Sequence, residues 1–117
     1  MKRIDLKNLV VMIAVTAVLA ACATTPQTLP ELERAEAEVD ALTADATVRE
    51  YAPAQLQEAE NLLKRAQERW REGADRPELL HLAQLTRTQV GIARETADLN
   101  RLEARVKELG DRREVLR

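Results

Sequence analysis

Three successive stretches of this chain carry apolar residues at helical intervals, which in the first two alternate between three and four. The first is Leu32, Ala35, Val39, Leu42 and Ala46; the second is Leu56, Ala59, Leu63, Ala66 and Trp70. A third holds Leu79, Leu82, Ala83, Val90, Ala93 and Ala97. This spacing places each set on one face of an α-helix, whereas in a strand it would scatter the same residues over both faces. Phe is absent and there is one Trp and one Tyr, so any core is made of Leu, Val and above all Ala. Ala buries little area but lets helix axes approach to the low end of the usual 8 to 10 Å range. Thin, elongated helical packing fits this better than a thick globular core. Glycine occurs only at 73, 91 and 110, and the prolines stand at 26, 30, 53 and 77. Breakers this sparse argue for long helices, and no segment reads as a strand.

Helix boundaries follow from local chemistry. Thr28-Leu29-Pro30-Glu31 has the offsets of a capping box with proline in the first turn, so the first helix is predicted to start there. Val48 to Pro53 reads as a corner, because proline restricts Ala52 to extended geometry and presets a new first turn. The second helix is expected to stop near Gly73, and Asp75-Arg76-Pro77-Glu78 repeats the cap, proline and glutamate offsets for the third. Beyond Ala97 the third stripe shifts face to Leu99, Leu102, Val106 and Leu109. From Arg76 to Leu109 is about 50 Å of helix against about 30 Å for each of the others. The surplus from Asp98 onward must project, pack on another chain, or break. Gly110 is predicted to end this helix and leave 111–117 frayed. The expected fold is therefore all-α: an antiparallel three-helix bundle or hairpin with a long third helix, occupying residues 29–110.

The amino-terminal segment reads differently. Lys2, Arg3 and Lys7 precede an apolar stretch from Leu9 to Val18 and a small-residue exit, the order of a secretory signal. Leu9 to Ala21 is 13 residues, short of the roughly 20 that a bilayer core needs. Leu19-Ala20-Ala21-Cys22 resembles the lipobox of bacterial lipoproteins. The resemblance implies cleavage between Ala21 and Cys22, removal of a 1–21 signal peptide, and diacylglycerol, with acyl chains such as palmitate, joined by a thioether to the Cys22 sulfur. Two or three acyl chains anchor a protein almost permanently, and residues 22–28 then form a lipid-proximal tether. The competing reading is an uncleaved signal anchor; a disulfide has no second cysteine to form with. Ala23, where aspartate favours inner-membrane retention in enterobacterium-like sorting, implies the outer membrane, facing the periplasm. The processed chain of 96 residues would carry 15 basic and 19 acidic side chains, a net charge of −4.

From Tyr51 the residues resemble a family. Tyr51-Ala52-Pro53, then Leu56, Ala59, Leu63 and Ala66, the Gly73-Ala74-Asp75 corner and Leu82-Ala83 are similar to the bacterial lipoproteins grouped under domain of unknown function 4398, over roughly residues 29 to 100. The resemblance implies a small all-helical periplasmic module, in some members joined to an OmpA-like peptidoglycan-binding domain that is not read here. It implies no catalytic residue. Thr86, Gln89 and Val90 depart from the alanines and aspartate expected of the third helix and make the seam bulkier and more polar.

Chemistry is sparse. His81 is the sole histidine and Cys22 is assigned to lipid, which leaves neither a usual zinc set nor a Cys-His pair; no metal or cofactor is expected. Glu33, Glu36, Asp40, Glu58 and Glu60 interleave with the stripes as a solvated face, with Glu60–Lys64 and Glu103–Lys107 at helical pairing distance. A thin bundle offers little room for the dry pocket that perturbed carboxylates need, so an enzyme is not expected. Charge is uneven: residues 31–60 hold nine acidic and two basic side chains, residues 101–117 six basic and four acidic. A basic helix end suits the helix dipole, but it also makes Arg101, Arg105, Lys107, Arg112 and Arg113 the candidate partner-binding residues, toward an acidic protein. The compartment excludes nucleic acid. Trp70 continues the second stripe and is expected in the core rather than as an anchor for a partner. The function expected is that of an outer-membrane-anchored adaptor that meets an envelope protein or its own copies through helix faces. The alternative is a module that binds peptidoglycan or an envelope ligand, although Arg117 stands where Braun-type wall attachment uses lysine.

Overall fold

The computed structural model describes residues 28–117, and they form four helices with no strand among them. These are α1 (Pro30–Ala44), α2 (Ala46–Tyr51), α3 (Pro53–Arg71) and α4 (Arg76–Val115). The expected signal peptide, the expected cleavage between Ala21 and Cys22, the expected lipidation of Cys22 and nearly all of the expected tether fall outside the described residues.

The three stripes make the core. Leu32, Ala35, Val39 and Leu42 of α1, Ala59, Leu63 and Ala66 of α3, and Leu79, Leu82, Ala83, Val90, Ala93 and Ala97 of α4 are all buried. Ala35, Ala59, Ala66 and Ala93 have no exposed surface at all, so the axes meet where side chains are smallest. Every shorter helix packs on α4. Glu31 meets Arg76 and Glu38 meets Arg87, so residue numbers rise together along α1 and α4. Arg69 meets Glu78 while Gln55 meets Gln89, so they oppose along α3 and α4.

Three boundaries and the burial of one side chain differ from expectation. Leu29, not Thr28, caps α1, and no side chain caps it. Leu29 is buried, so its carbonyl is held where it accepts from the Leu32 and Glu33 amides, and the capping box does not form. The first stripe breaks at Asp45, whose Oδ1 accepts from the Thr47 and Val48 amides at 2.9 and 3.4 Å. That cap starts α2, turns Ala46 outward and buries Val48 in its place. Trp70 lies at the surface, 36% exposed, because it sits on the last turn of α3 at the open end of the bundle. Finally, α4 does not stop at Gly110. It continues to Val115, with an Arg112–Glu108 ion pair bridging the glycine, so most of 111–117 is helical rather than frayed.

The expected stops at Ala52 and Gly73 form as read. Gly73 takes φ +80, its amide donates to Trp70 and that of Ala74 to Arg69, a Schellman closure of α3. Asp75 then accepts from the Glu78 amide at 3.0 Å and opens α4.

Candidate functional site

The surface that stands apart is the carboxyl-terminal part of α4. All of residues 101–117 are exposed, while the last buried residue of α4 is Ala97. The bundle ends here for a local reason. Ala52 leaves helical geometry, so the Tyr51 carbonyl at the end of α2 lacks a helical donor, and Asn100 Nδ2 supplies one at 2.6 Å. Beyond that bond, 15 residues of helix, about 22 Å, extend with no neighbour.

This overhang is apolar along one side. Leu99, Leu102, Val106 and Leu109 are 54 to 70% exposed, at spacings of three, four and three. The same face continues backward onto the bundle's outer side through Ile92 and Leu85, also exposed. Seven residues separate Leu85, Ile92, Leu99 and Val106, which is the period of a helix-pairing seam rather than of a solvated helix.

The five candidate basic residues do not form one patch. At 100° per residue, Arg101, Arg105 and Arg112 share a side, flanking the apolar stripe; Arg113 falls within the stripe and Lys107 behind it. Arg101 is paired with Asp98 at 3.3 Å and Arg112 with Glu108, which leaves the local field weaker than the charge count implies. Neither Glu60–Lys64 nor Glu103–Lys107 forms an ion pair; Glu60 instead accepts from Thr43 Oγ1 at 3.3 Å.

At the opposite end of the bundle an open cleft of 560 Å³ is lined by Thr28, Leu29, Trp70, Gly73, Ala74, Arg76 and Leu79. Glu31 lies beside it, with Oε1 3.6 Å from Arg76 Nη2 and a buried Oε2 that has no partner. The corner under the cleft is fastened by Arg69, which donates to both carboxylate oxygens of Glu78 at 2.6 and 3.0 Å and to Glu72 at 2.6 Å. The hydrogen bonds to Glu78 and then Glu72 raise the guanidinium pKa further above its already high value. The bond from Arg69 holds the Glu78 carboxyl below its ordinary 4.5. Two charges bound this tightly to each other are structural fasteners. His81 is exposed on α4.

Two features escaped sequence reasoning. The Asp45 cap was hidden because Ala46 keeps the three-four spacing, although Asp followed by a small residue and Thr is an ordinary capping signal. Asn100 carries no local signal, since its partner is 49 positions away. No helix among the described residues is long and apolar enough to cross a membrane. A family model described as "Domain of unknown function (DUF4398)" matches residues 30–109. No curated protein and no solved structure matches the chain.

Proposed function

The chain belongs to the DUF4398 family, and from that premise we propose that it is a lipid-anchored scaffold of the bacterial envelope, tied by acylated Cys22 to the outer membrane. Its fold is an up-down-up three-helix bundle in which α1 with α2, α3 and α4 alternate in direction. The single observation behind this reading is the overhang: a bundle at one end, and at the other a bare helix that carries Leu99, Leu102, Val106 and Leu109 into solvent. Soluble monomers rarely leave such a row uncovered. An apolar helix face flanked by Arg101, Arg105 and Arg112 suits docking of another helix. The work is positioning: acyl chains hold the Thr28 end within about 20 Å of the bilayer, the reach of six extended residues, and α4 carries the docking face away from it.

Labelling with a palmitate analogue, followed by membrane fractionation, tests the anchor. The wild-type chain is expected to take label and partition with the outer membrane, and Cys22→Ser to lose both. A Cys22→Ser chain that still fractionates entirely with the outer membrane overturns it.

The cleft favours a second reading, binding of a small envelope ligand or a peptidoglycan fragment. An exposed Trp70 beside Arg76 is the combination that stacks on a sugar ring and meets an acidic group. Binding of purified muropeptides that is lost in Trp70→Ala, with unchanged circular dichroism, is the expected result under that reading.

A further inference from the structure

The overhang carries enough pattern to name what covers it. Taking Leu99, Val106 and Arg113 as one seam position and Glu95, Leu102, Leu109 and Leu116 as the other, residues 92–116 form a continuous heptad seam with Ile92 at its head. All of these side chains are exposed, on the bundle's outer face as well as beyond it. Two of the seam residues are charged, and of opposite sign: Glu95 and Arg113.

We infer that residues 92–116 of α4 pair antiparallel with the same segment of a second copy of this chain, about a two-fold axis at Ala104. In that register every layer is matched. Ile92 faces Leu116, Leu99 faces Leu109 and Leu102 faces Val106, each twice by symmetry, and Glu95 faces Arg113. Beside the seam Asp98 faces Arg112. The pairing thus makes four attractive cross-chain charge contacts against two repulsive ones, Glu103 and Arg105 each meeting its own copy at the axis.

Other registers lose this match. In a parallel pair Glu95 would lie on Glu95 and Arg113 on Arg113, like charges in the least hydrated layers. An antiparallel shift of seven residues sets Arg113 against Leu102, or Glu95 against Val106. Charge complementarity therefore selects one arrangement, and an isologous contact of this kind closes as a dimer. The two copies would cover roughly 1,000 Å² of surface, the lower bound for a specific interface. Gly110 gains a rationale too. Nothing within one chain lies within 4 Å of where its Cβ would be, but the register sets it opposite Thr96 of the second copy, where a small residue permits close approach. The amino-terminal ends of the two α4 helices come to lie about 85 Å apart along the rod. This names the occupant of the surface proposed above for docking, and it stands whether or not Cys22 carries lipid.

The full chain bearing Cys22→Ser, so that no native thiol interferes, is suited to sedimentation velocity across a concentration series. A dimer is expected, with Arg113→Glu and Glu95→Arg each raising the dissociation constant about tenfold or more and the double exchange restoring it to within about threefold. Because residues 95 and 113 are some 27 Å apart within one helix, only a cross-chain contact gives that rescue. Orientation is read by oxidising single-cysteine chains: a mixture of Leu99→Cys and Leu109→Cys is expected to crosslink, and Leu99→Cys alone not to. A chain that stays monomeric at about 100 µM, a double exchange without rescue, or self-crosslinking of Leu99→Cys each overturns the inference; the first would point to a partner of different sequence.

Discussion

At the scale of single residues, the bundle depends on a few polar groups placed where helices end. Asn100 satisfies the Tyr51 carbonyl, which the break in the helix at Ala52 leaves without a donor. Asn100→Ala is expected to destabilise the fold by about 1 to 2 kcal/mol, read as a lower urea midpoint at unchanged slope. Glu78 makes stability pH-dependent. Its folded pKa is held below the unfolded 4.5, so its contribution is fully present above that value and is lost as pH falls through the folded one. Acid unfolding followed below pH 5 should therefore be shallower in Glu78→Gln than in wild type, and a limb of equal steepness would remove Glu78 from the account. Thr86 is different in kind. It is completely buried, yet its hydroxyl is satisfied within α4 by the Leu82 carbonyl at 2.9 Å, so the polar seam residue singled out from the sequence needs no cross-helix partner.

At the scale of elements, α2 is six residues long, too short to be stable alone, and exists because Asp45 restarts the helix while Val48 drops into the core. Asp45→Ala should cost about 1 kcal/mol in thermal or urea unfolding, a typical cap loss. The alanine seams set how closely the helices lie. Ala66 has no exposed surface, so Ala66→Leu must displace a neighbouring helix and is expected to cost about 2 kcal/mol despite its added hydrophobicity. Along α4, by contrast, Gly110 interrupts nothing. A helix already nucleated in the bundle needs only propagation to extend, and one glycine costs it about 1 kcal/mol.

At the scale of the whole molecule, a packed bundle and a bare helix share one continuous element. Local opening is easy where no tertiary contact holds the backbone bonds. Hydrogen exchange at low protein concentration should therefore be at least about 100-fold faster for amides 101–115 than for 79–97, with the contrast narrowing as concentration rises if the overhang pairs. Protection of 101–115 that is equal to the bundle's at every concentration would contradict both the exposure and the dimer.

Helical class, the three stripes and the restarts at Pro53 and Asp75 were legible in the residues because each rests on interactions within about four positions, which spacing and cap chemistry encode directly. Thirteen buried apolar side chains of those stripes needed no more than a period of 3.6 to be found, and even the surplus of α4 followed from helix rise alone. Which stripe member yields to a cap, as Ala46 does to Asp45, whether Trp70 is covered, where the bundle ends at Asn100, and how five basic residues divide around α4 were decided only by tertiary structure. Those outcomes depend on which helix lies opposite, and a helix has no way to report its neighbour in its own periodicity.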